Sequence, residues 1–489
     1  MAWLTKSRFM AGRQCPKRLW FEVHEPLDEK PLETMPLING RKFDDLVRTL
    51  RPGTVISRER GMPAAIAETT RIMGAGSTPI LYQPAFRFGD LAVIADVLRR
   101  EKHGFTLIEI KASTQVKDEH IPDVAFQALV LRGVKIPLKR VFVGHVDNRF
   151  VLERAGDYTG LLTEADVTDR VEAIVPEVAD NAKALQGVMA STKVPAIAMG
   201  PQCLSPYECP FIARCSRERG PIAEYPLDLL PRGAKAAEAL AAAGYVDLRD
   251  VPADRITGEL HRRVHAATVS GAAYFDLAAA EGLRALEFPR AYLDFETISY
   301  AVPEIVGTRP YEQLPFQWSL HVETSPTKLW SVEYLAIESF GNFAALARAL
   351  LDAMPATGPV FAYNAAFERA VLEGLANRLP DRAQALRDLA ERLVDLLPIT
   401  RDAYYHRDMK GSWSIKAVLP TIAPGLAYGD LEDVQESGAA QLAFVELRDP
   451  ALTADRRERL AQALRAYCRR DTLGLVVLRR FLCGENASD

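Results

Sequence analysis

Long uninterrupted apolar runs are absent from this chain of 489 residues. No segment approaches the roughly 18 consecutive apolar residues that a membrane-spanning helix needs, and the first residues do not form the apolar core of a signal peptide. We therefore expect a soluble, cytoplasmic protein that does not bind membranes. Hydrophobic residues make up 48% of the chain, which is enough for the cores of two or three domains.

An excess of positive charge is also absent. The formal net charge is −4, so no overall field attracts nucleic acid, and any such binding requires a local basic patch. One candidate patch lies in the first twenty residues, which contain five basic residues, no acid and several aromatic side chains. The basic residues of this candidate patch are Lys6, Arg8, Arg13, Lys17 and Arg18.

Cysteine is scarce, with six residues in the whole chain, but three of them are clustered as Cys203, Cys209 and Cys215. In a cytosolic protein, clustered cysteines hold a metal more often than they form disulfides. Three thiolates are one fewer than a cubane iron–sulfur cluster or a structural zinc ion requires, and Cys15 is a candidate for the fourth. A zinc site and a set of buried free thiols are the alternatives.

Two predicted strands between these cysteines carry acidic residues. The apolar stretch Leu91–Leu98 predicts one strand, with Asp96 inside it, and Phe105–Lys111 predicts a second. A charged turn over residues 99–104 joins them, so the pattern indicates a β-hairpin.

Glu109 and Lys111 are spaced i, i+2 on the second strand, which puts both side chains on one face. With Asp96, they supply two candidate metal ligands and a lysine that can activate water or neutralise charge on a phosphate. A helix predicted over Ile121–Val134 brings Gln127 near the sheet. The alternative is a surface strand on which Glu109 and Lys111 form an ion pair without chemistry.

These residues, with cysteines at either end, resemble the PD-(D/E)XK nucleases of the RecB type, and the closest subgroup is the CRISPR-associated, iron–sulfur-containing RecB-like exonucleases. The resemblance covers most of residues 1–219. It implies a mixed sheet flanked by helices, Mg²⁺- or Mn²⁺-dependent cleavage of DNA, and a 4Fe–4S cluster. It assigns metal ligation to Asp96 and Glu109, catalysis to Lys111, support to Gln127, and the cluster to Cys15, Cys203, Cys209 and Cys215.

Two positions depart from that family. The histidine often found in its early helix has no counterpart near residues 40–50, where Asp44 and Asp45 stand. The tyrosine that usually follows the glutamine is also missing after Gln127. Both departures concern activity more than fold.

Residues 220–288 are expected to connect two domains. Three prolines mark a break after the cysteines, and an alanine-rich helical stretch follows from Gly233 to Gly244. The continuation over residues 245–252 resembles helix–hairpin–helix elements, which hold a nucleic-acid backbone through turn amides. A plain helical spacer is the alternative.

A third acidic strand begins the C-terminal domain, which we expect over residues 289–489. The predicted strand Ala291–Thr297 places Asp294 and Glu296 on the same face. Two carboxylates on one face of a central strand are costly unless a cation lies between them, and hard cations such as Mg²⁺ bind carboxylate oxygens. The alternative is an exposed edge strand that carries two acids.

Hydrophobic periodicity predicts the remaining elements of this domain. Strands are expected over Phe316–Val322, Leu329–Leu335 and Pro359–Asn364, and helices over Phe340–Met354 and from Ala365 onward. Near the end of the chain, Tyr467 and Asp471 are spaced i, i+4 on a helix, so both point the same way.

Four acids of this domain are candidates for holding two divalent ions, one to activate water and one to stabilise the leaving oxygen of a phosphodiester. They are Asp294, Glu296, Glu368 and Asp471, with Tyr467 placed to orient the water. The motifs around them resemble the DEDD exonucleases of the RNase H-like fold, in the tyrosine-bearing DEDDy branch. That family usually has an aspartate where this chain has Glu368. An RNase H-like fold without catalysis is the alternative.

Two further features of this domain suit a nucleic-acid enzyme. Asp395 ends a predicted strand at a place where the relatives often carry an acid. Residues 410–416 include two lysines, two serines, a glycine and a tryptophan, which suit phosphate binding and base stacking. A solvated loop is the alternative. The order of the two sets of motifs along the chain resembles the order in a family of bacterial and archaeal proteins. The C-terminal half of that family is catalogued only as a domain of unknown function.

The whole sequence therefore predicts an α/β protein with a PD-(D/E)XK domain, a helical connector and an RNase H-like domain. We expect a nuclease that uses a 4Fe–4S cluster and Mg²⁺ or Mn²⁺ and acts on single-stranded or frayed DNA, with RNA as a second substrate class. The resemblance implies 3′-5′ exonuclease polarity for the C-terminal site. Two rival interpretations are a nucleic-acid-binding adaptor with silent sites and a zinc hydrolase of small phosphoesters.

Overall fold

The computed structural model describes residues 3–27, 33–76, 78–218 and 223–485, which form two compact α/β units. Unit 1 consists of Met1–Pro221 and Tyr300–Glu312, and unit 2 consists of Ile222–Ser299 and Gln313–Asp489. From Ile222 onward, the predicted connector over residues 220–288 is part of unit 2. None of the described helices is both long and apolar enough to cross a membrane.

Unit 1 contains two sheets and seven α-helices within its described residues. Its strands are β1 (Leu4–Thr5), β2 (Thr54–Val55), β3 (Ile80–Tyr82), β4 (Ala85–Phe88), β5 (Leu91–Ile94), β6 (Val97–Glu101), β7 (Gly104–Lys111), β8 (Leu138–Val146) and β9 (Leu162–Asp166). Its helices are α1 (Lys6–Gln14), α2 (Pro16–His24), α3 (Met35–Leu50), α4 (Met62–Ala75), α5 (His120–Gly133), α6 (Thr168–Ala190) and α7 (Ile212–Glu218).

The larger sheet of unit 1 has the order β2-β3-β6-β7-β8-β9. β6 and β7 form the predicted antiparallel hairpin, and β7 runs parallel to β8 through the crossover helix α5. This helix contacts strands β4, β5 and β8 and helices α1 and α6, so nearly all of its residues are buried. The crossover carries Gln127 to the strand that bears Glu109.

The prediction of one strand over Leu91–Leu98 is wrong, because the structure divides it into β5 and β6, which belong to different sheets. Asp96 lies in the break between them, and its Oδ2 accepts a hydrogen bond from the backbone N–H of Ile110 at 2.9 Å. The side chain of Asp96 therefore binds a backbone donor of β7 at the point where the chain passes from one sheet to the other. The predicted turn over residues 99–104 is also too long, since β6 and β7 stay paired as far as Glu101 and Gly104.

Unit 2 also contains two sheets, with ten α-helices within its described residues. Its strands are β10 (Tyr274–Phe275), β11 (Arg290–Ile298), β12 (Leu314–Ser325), β13 (Lys328–Leu335), β14 (Val360–Ala362), β15 (Leu393–Asp395) and β16 (Tyr404–Tyr405). Its helices are α8 (Ala234–Ala242), α9 (Glu259–Ser270), α10 (Glu281–Arg284), α11 (Phe343–Ala353), α12 (Ala366–Arg378), α13 (Ala383–Glu391), α14 (Leu396–Ala403), α15 (Ile415–Ile422), α16 (Ser437–Leu447) and α17 (Ala454–Leu482).

The larger sheet of unit 2 has the order β13-β12-β11-β14-β15. β11 pairs antiparallel with β12 and parallel with β14, so the strand with Asp294 and Glu296 is central and the edge-strand alternative is wrong. The predicted strands of this domain are confirmed as β11 to β14, and the predicted helices as α11, α12 and α17. The long helix α17 packs across β11 and β12.

Each unit has its own apolar core. In unit 1, the rings of Phe9 and Phe126 stack at 4.6 Å between centroids, which ties α1 to the buried α5. In unit 2, Leu475 and Leu478 of α17 belong to one buried cluster with Tyr292 and other side chains of the sheet. The burial of α17 against the sheet is what fixes the position of its polar residues relative to β11.

Candidate functional sites

The acids predicted on the central strand of unit 2 meet a third acid from the last helix. One carboxylate oxygen from each of Asp294, Glu296 and Asp471 lies within 4.8 Å of the other two. The alternation along β11 puts the first two side chains on one face, and the packing of α17 across the sheet brings in Asp471. Three oxygens at this spacing can share one cation.

Glu368 completes the predicted set of four acids from the first turn of α12. Its Oε2 is buried and has no hydrogen-bond partner in the described part of the chain. Glu368 lines a cavity of about 400 Å³ together with the other three acids and Tyr467. Further polar residues of this cavity are Thr297, Gln313, Asn364, Lys416, Ser437 and Gln441.

Burial raises the pKa of all four carboxyl groups. The pKa of Asp294 is well above its usual range, because the charges of Asp471, Glu296 and Glu368 add to the effect of burial. The pKa of Glu296 and that of Glu368 rise to about 8, and that of Asp471 rises to about 6. The basic side chains of α17 form their ion pairs elsewhere, and no lysine or arginine among the described residues pairs with these four acids. Such a cluster requires protons or metal ions to reduce its charge.

Tyr467 reaches the cavity one helical turn before the last of the four acids, as the i, i+4 spacing predicts. Its hydroxyl lies 3.3 Å from Oγ of Ser437, and the ammonium of Lys416 lies 4.9 Å from its ring centroid. Lys416 belongs to the segment predicted to bind phosphate. The other lysine of that segment, Lys410, donates instead to the backbone carbonyl of Glu224. Only one of the two lysines, Lys416, therefore lines this cavity.

Tyr428 is a residue of this site that the sequence did not predict. Its hydroxyl donates a hydrogen bond to Oδ1 of Asp471, and its ring centroid lies 5.2 Å from the ammonium of Lys416. Tyr428 lies in the irregular chain between α15 and α16. No local spacing relates it to α17, so the sequence contained no signal for this contact.

The side chain of Asp395 binds backbone groups beside the site. Its Oδ1 accepts hydrogen bonds from the N–H groups of Asn364 and Leu397, both at 2.9 Å, and it caps the start of α14. Asn364 has a left-handed backbone conformation, with φ of 66°, which few non-glycine residues adopt. Asp395 therefore supports the turn that leads into α12 and Glu368.

The structure brings together all four residues predicted for the unit 1 site. Nζ of Lys111 lies 2.7 Å from Oε1 of the buried Glu109, and Nε2 of Gln127 donates to Oε2 of Glu109 at 2.6 Å. Asp96 is bound to the adjacent backbone, and burial together with the charge of Glu109 raises its pKa to about 8. Oε1 of Gln127 is buried without a hydrogen-bond partner among the described residues, so an acceptor remains for a cation or its water.

Lys6 and Asp123 are two further residues of this site that the sequence reasoning missed. Nζ of Lys6 lies 2.7 Å from Oε1 of Glu109 and 3.7 Å from Oδ1 of Asp123. Asp123 also accepts from Lys111 at 2.6 Å. Although burial acts in the opposite direction, the two lysines hold the pKa of Glu109 well below its usual range. Helical spacing could have found Asp123, which lies four residues before Gln127.

Asp44, which stands where the resembling family often has a histidine, lies within electrostatic reach of the same cluster. Burial raises its pKa to about 6, with a smaller contribution from the charge of Glu109. The structure therefore places a carboxyl group, not an imidazole, at the edge of the unit 1 site.

Four of the five basic residues of the candidate patch in the first twenty residues form ion pairs with acids. Lys6 binds Glu109 as described above. The other pairs are Arg13 with Glu177, Lys17 with Glu218, and Arg18 with Glu22. The pair of Arg13 joins α1 to α6 and that of Lys17 joins α2 to α7, whereas the pair of Arg18 lies within α2.

The four predicted cluster cysteines line one small cavity of unit 1. Burial raises the pKa of the Cys209 and Cys215 thiols, and the neighbouring Cys15 and Cys203 raise it further. No three of these four sulfurs lie within 4.8 Å of one another. The same cavity is lined by Lys17, Arg18, Phe21, Ile197, Ala198, Met199, Gln202, Phe211 and Ile212.

Two comparisons with known proteins bear on these sites. Residues 291–414 match a family described as Domain of unknown function (DUF2779); the matched range contains Asp294, Glu296 and Glu368 and ends before Tyr467 and Asp471. Over 219 residues, or 40% of this chain, the sequence is 27% identical to the Uncharacterized protein MG366 homolog of Mycoplasma pneumoniae (strain ATCC 29342 / M129 / Subtype 1). The match spans 32% of that relative, so the chain covers about a third of its length.

Proposed function

We propose that the protein is a metal-dependent nuclease with two active sites that hydrolyse phosphodiester bonds of DNA or RNA. The observation that carries this proposal is the cluster of four acids in unit 2, of which three are buried and Asp294 is partly buried, and none forms an ion pair with a lysine or arginine among the described residues. Hard carboxylate oxygens suit Mg²⁺ or Mn²⁺, and the unpartnered Oε2 of Glu368 leaves a buried acceptor for such an ion.

The topology of unit 2 supports an RNase H-like fold for this half. Three antiparallel strands are followed by two parallel strands that add beyond the first, which gives the order β13-β12-β11-β14-β15. This mixed order is compatible with the RNase H-like fold that the resemblance implies. The sheet order and the acids of β11, α12 and α17 together support a DEDDy-like exonuclease site, whose 3′-5′ polarity follows from the resemblance alone.

The residues that line the unit 2 cavity would have different roles in the proposed reaction. Asp294, Glu296, Glu368 and Asp471 would hold the ions, which supply water activation and stabilisation of the leaving oxygen when they are bound. Tyr467, whose hydroxyl is held near Ser437, would orient the attacking water. Lys416 adds positive charge to the cavity wall, where it would offset the repulsion between the acids and a phosphate.

The unit 1 site supports a second nuclease centre of the RecB-like PD-(D/E)XK type. Asp96 and Glu109 would hold Mg²⁺ or Mn²⁺, Lys111 would neutralise charge that develops on the phosphate, and Gln127 would orient Glu109. The crossover from β7 through α5 to β8 brings Gln127 to Glu109, and the hydrogen bond from the Ile110 N–H holds Asp96 beside β7. Single-stranded or frayed DNA is the substrate class that the resemblance favours, and RNA is the second.

The four cysteines of unit 1 would hold a 4Fe–4S cluster. The four cysteines line one cavity, and four thiolates are the number that a cubane cluster requires. We assign the cluster a structural role, because it would join α2 and the end of unit 1, the two parts of the chain from which its ligands come.

End-labelled single-stranded DNA, frayed duplex DNA and RNA, incubated with Mg²⁺ or Mn²⁺, test the proposal. Asp294→Ala should abolish shortening from the 3′ end, Glu109→Ala should abolish the remaining cleavage, and the double variant should be inactive. Wild-type protein that degrades none of these substrates with Mn²⁺ would contradict the nuclease.

A nucleic-acid-binding adaptor of a defence or repair system is the second candidate. It is favoured by Glu368 in place of the usual aspartate and by the direct contact of Lys6 with Glu109. The adaptor predicts retention of labelled DNA or RNA in a filter-binding assay without any cleavage, and equal binding by the double variant.

A further inference from the structure

The two acid clusters of this protein differ in how their charge is balanced. In unit 2, none of the four acids pairs with a lysine or arginine among the described residues. In unit 1, Oε1 of Glu109 accepts hydrogen bonds from the ammonium groups of Lys6 and Lys111, each at 2.7 Å. The protein therefore supplies two directly bound ammonium groups to the unit 1 cluster, whereas Lys416 lines the wall of the unit 2 cavity without forming an ion pair with the acids.

Lys6 reaches the unit 1 cluster through the packing of the N-terminal residues. β1 pairs in parallel with β5, which ends two residues before Asp96, and α1 begins at Lys6 with Thr5 as its N-cap. The first turn of α1 thus directs the Lys6 side chain toward Glu109 and Asp123. This side chain is 23% exposed, so part of it already contacts solvent.

The ammonium of Lys6 occupies an acceptor position that a metal ion would use. A carboxylate oxygen has two acceptor positions, and both positions of Oε1 of Glu109 are taken by ammonium groups. Oε2 of Glu109 already accepts from Gln127 at 2.6 Å. A cation that binds Glu109 through Oε1 must therefore displace Lys6 or Lys111. Lys111 is the more firmly held, because its contact with Asp123 is 2.6 Å long, whereas that of Lys6 is 3.7 Å.

We propose that Lys6 is an internal cation of the unit 1 site that competes with divalent metal ions for Glu109. The inference rests on the proposed function in taking Glu109 as a metal ligand. Binding of Mg²⁺ or Mn²⁺ releases the Lys6 ammonium from Oε1 toward solvent and leaves Lys111 in place. The unit 1 site then fills at a higher metal concentration than the unit 2 site, and Lys6 sets the difference.

Mn²⁺ binding to the full-length protein tests this competition directly. An Asp294→Asn, Asp471→Asn parent removes two ligands of unit 2, so calorimetric titration with Mn²⁺ measures the unit 1 site. In this parent, Lys6→Met removes the charge but keeps a chain of similar shape, and we expect Mn²⁺ to bind about tenfold more tightly, since tenfold corresponds to about 1.4 kcal/mol.

Two matched variants separate competition from other effects of the substitution. Lys6→Arg retains the positive charge and should leave the Mn²⁺ affinity close to that of the parent. Lys102→Met makes the same change of charge in the exposed turn between β6 and β7 and should also leave it unchanged. If Lys6→Met does not fold, as judged by thermal unfolding, Lys6→Gln takes its place with the same expected gain.

Unchanged or weaker Mn²⁺ binding by Lys6→Met would overturn the proposal. An equal gain in Mn²⁺ affinity in Lys6→Arg or Lys102→Met would also overturn it, and so would a parent that binds no Mn²⁺. Cleavage assays separate this result from the nuclease itself. Tighter Mn²⁺ binding in a protein that cleaves no nucleic acid supports the internal cation alone. Cleavage with an unchanged affinity supports the nuclease and overturns the role of Lys6.

Discussion

The hydroxyl of Tyr428 donates a hydrogen bond to Oδ1 of Asp471, and this bond is formed inside the acid cluster of unit 2. It reaches from an irregular stretch of chain to the long helix α17. Because a hydrogen bond to a charged acceptor is directional, it fixes the orientation of a carboxylate that the proposed function uses as a metal ligand.

Tyr428→Phe should weaken catalysis through the metal site. The variant loses only the hydroxyl, and a hydrogen bond to a charged group contributes about 1.5–3 kcal/mol, so we expect at least a roughly tenfold lower kcat at limiting Mn²⁺, partly restored by excess Mn²⁺. Single-turnover cleavage over a range of Mn²⁺ concentrations measures this. Tyr404→Phe is the matched control, because its hydroxyl contacts Thr421 at 3.1 Å. Identical metal dependence in Tyr428→Phe and wild type would exclude the role of the bond.

The metal-free protein should lose stability as the pH rises from about 6.5 to 8. An unfolded glutamate has a pKa near 4.3, whereas burial raises that of Glu296 and Glu368 to about 8, so the folded state retains protons that the unfolded state has lost and stability falls with pH. Burial lowers the pKa of His120 and His321 to about 4. These two groups therefore make the stability rise with pH, but mainly below pH 6.5. Urea unfolding in EDTA at several pH values measures the trend.

Metal ions should reverse that loss of stability. A divalent ion that binds only the folded protein stabilises it by mass action. Because the ion binds the ionised carboxylates, saturating Mg²⁺ should keep the free energy of unfolding constant between pH 6.5 and 8 or make it rise. The Glu296→Gln, Glu368→Gln variant should show a weaker pH trend without metal and little response to Mg²⁺. Glu373→Gln, on the partly exposed side of α12, is the control. A double variant with the wild-type pH trend would exclude these two acids as its source.

Asp395 should be replaceable by an amide but not by a methyl group. Its Oδ1 accepts two backbone hydrogen bonds, which Asn can also accept, so Asp395→Asn should retain near wild-type stability and cleavage. Asp395→Ala removes the cap of α14 and should destabilise unit 2 by about 1–2 kcal/mol, as measured by urea unfolding. Loss of cleavage in a stable Asp395→Asn variant would indicate instead that the negative charge itself is required.

Cys203→Ser should remove iron and stability together. If four thiolates hold the cluster, loss of one should abolish the brown colour and lower the thermal midpoint of unit 1 by more than about 5 °C. Visible absorbance, iron content and thermal unfolding measure the two effects. Cys483→Ser, at a buried cysteine of unit 2, should leave the iron content unchanged. Normal folding of Cys203→Ser without iron would contradict the structural role.

Local spacing was sufficient to predict which charged residues share a face of each strand. Asp294 and Glu296 share a face because a strand alternates with a period of two, and the same rule placed Lys111 beside Glu109. Where the sequence prediction failed, the cause was a contact made by a side chain. Asp96 interrupts an apolar run that looks continuous, because its carboxylate binds the backbone of β7.

The sequence by itself determined the elements and their acidic faces, because periodicity and burial act over a few residues of one chain segment. Only the tertiary structure decided which side chains contact those acids. Lys6 contacts Glu109 and Tyr428 contacts Asp471, whereas no basic residue among the described ones forms an ion pair with Glu368. These partners come from segments far away in the chain. Their positions depend on how β1, α1 and α17 pack in their units, and no short-range pattern contains that information.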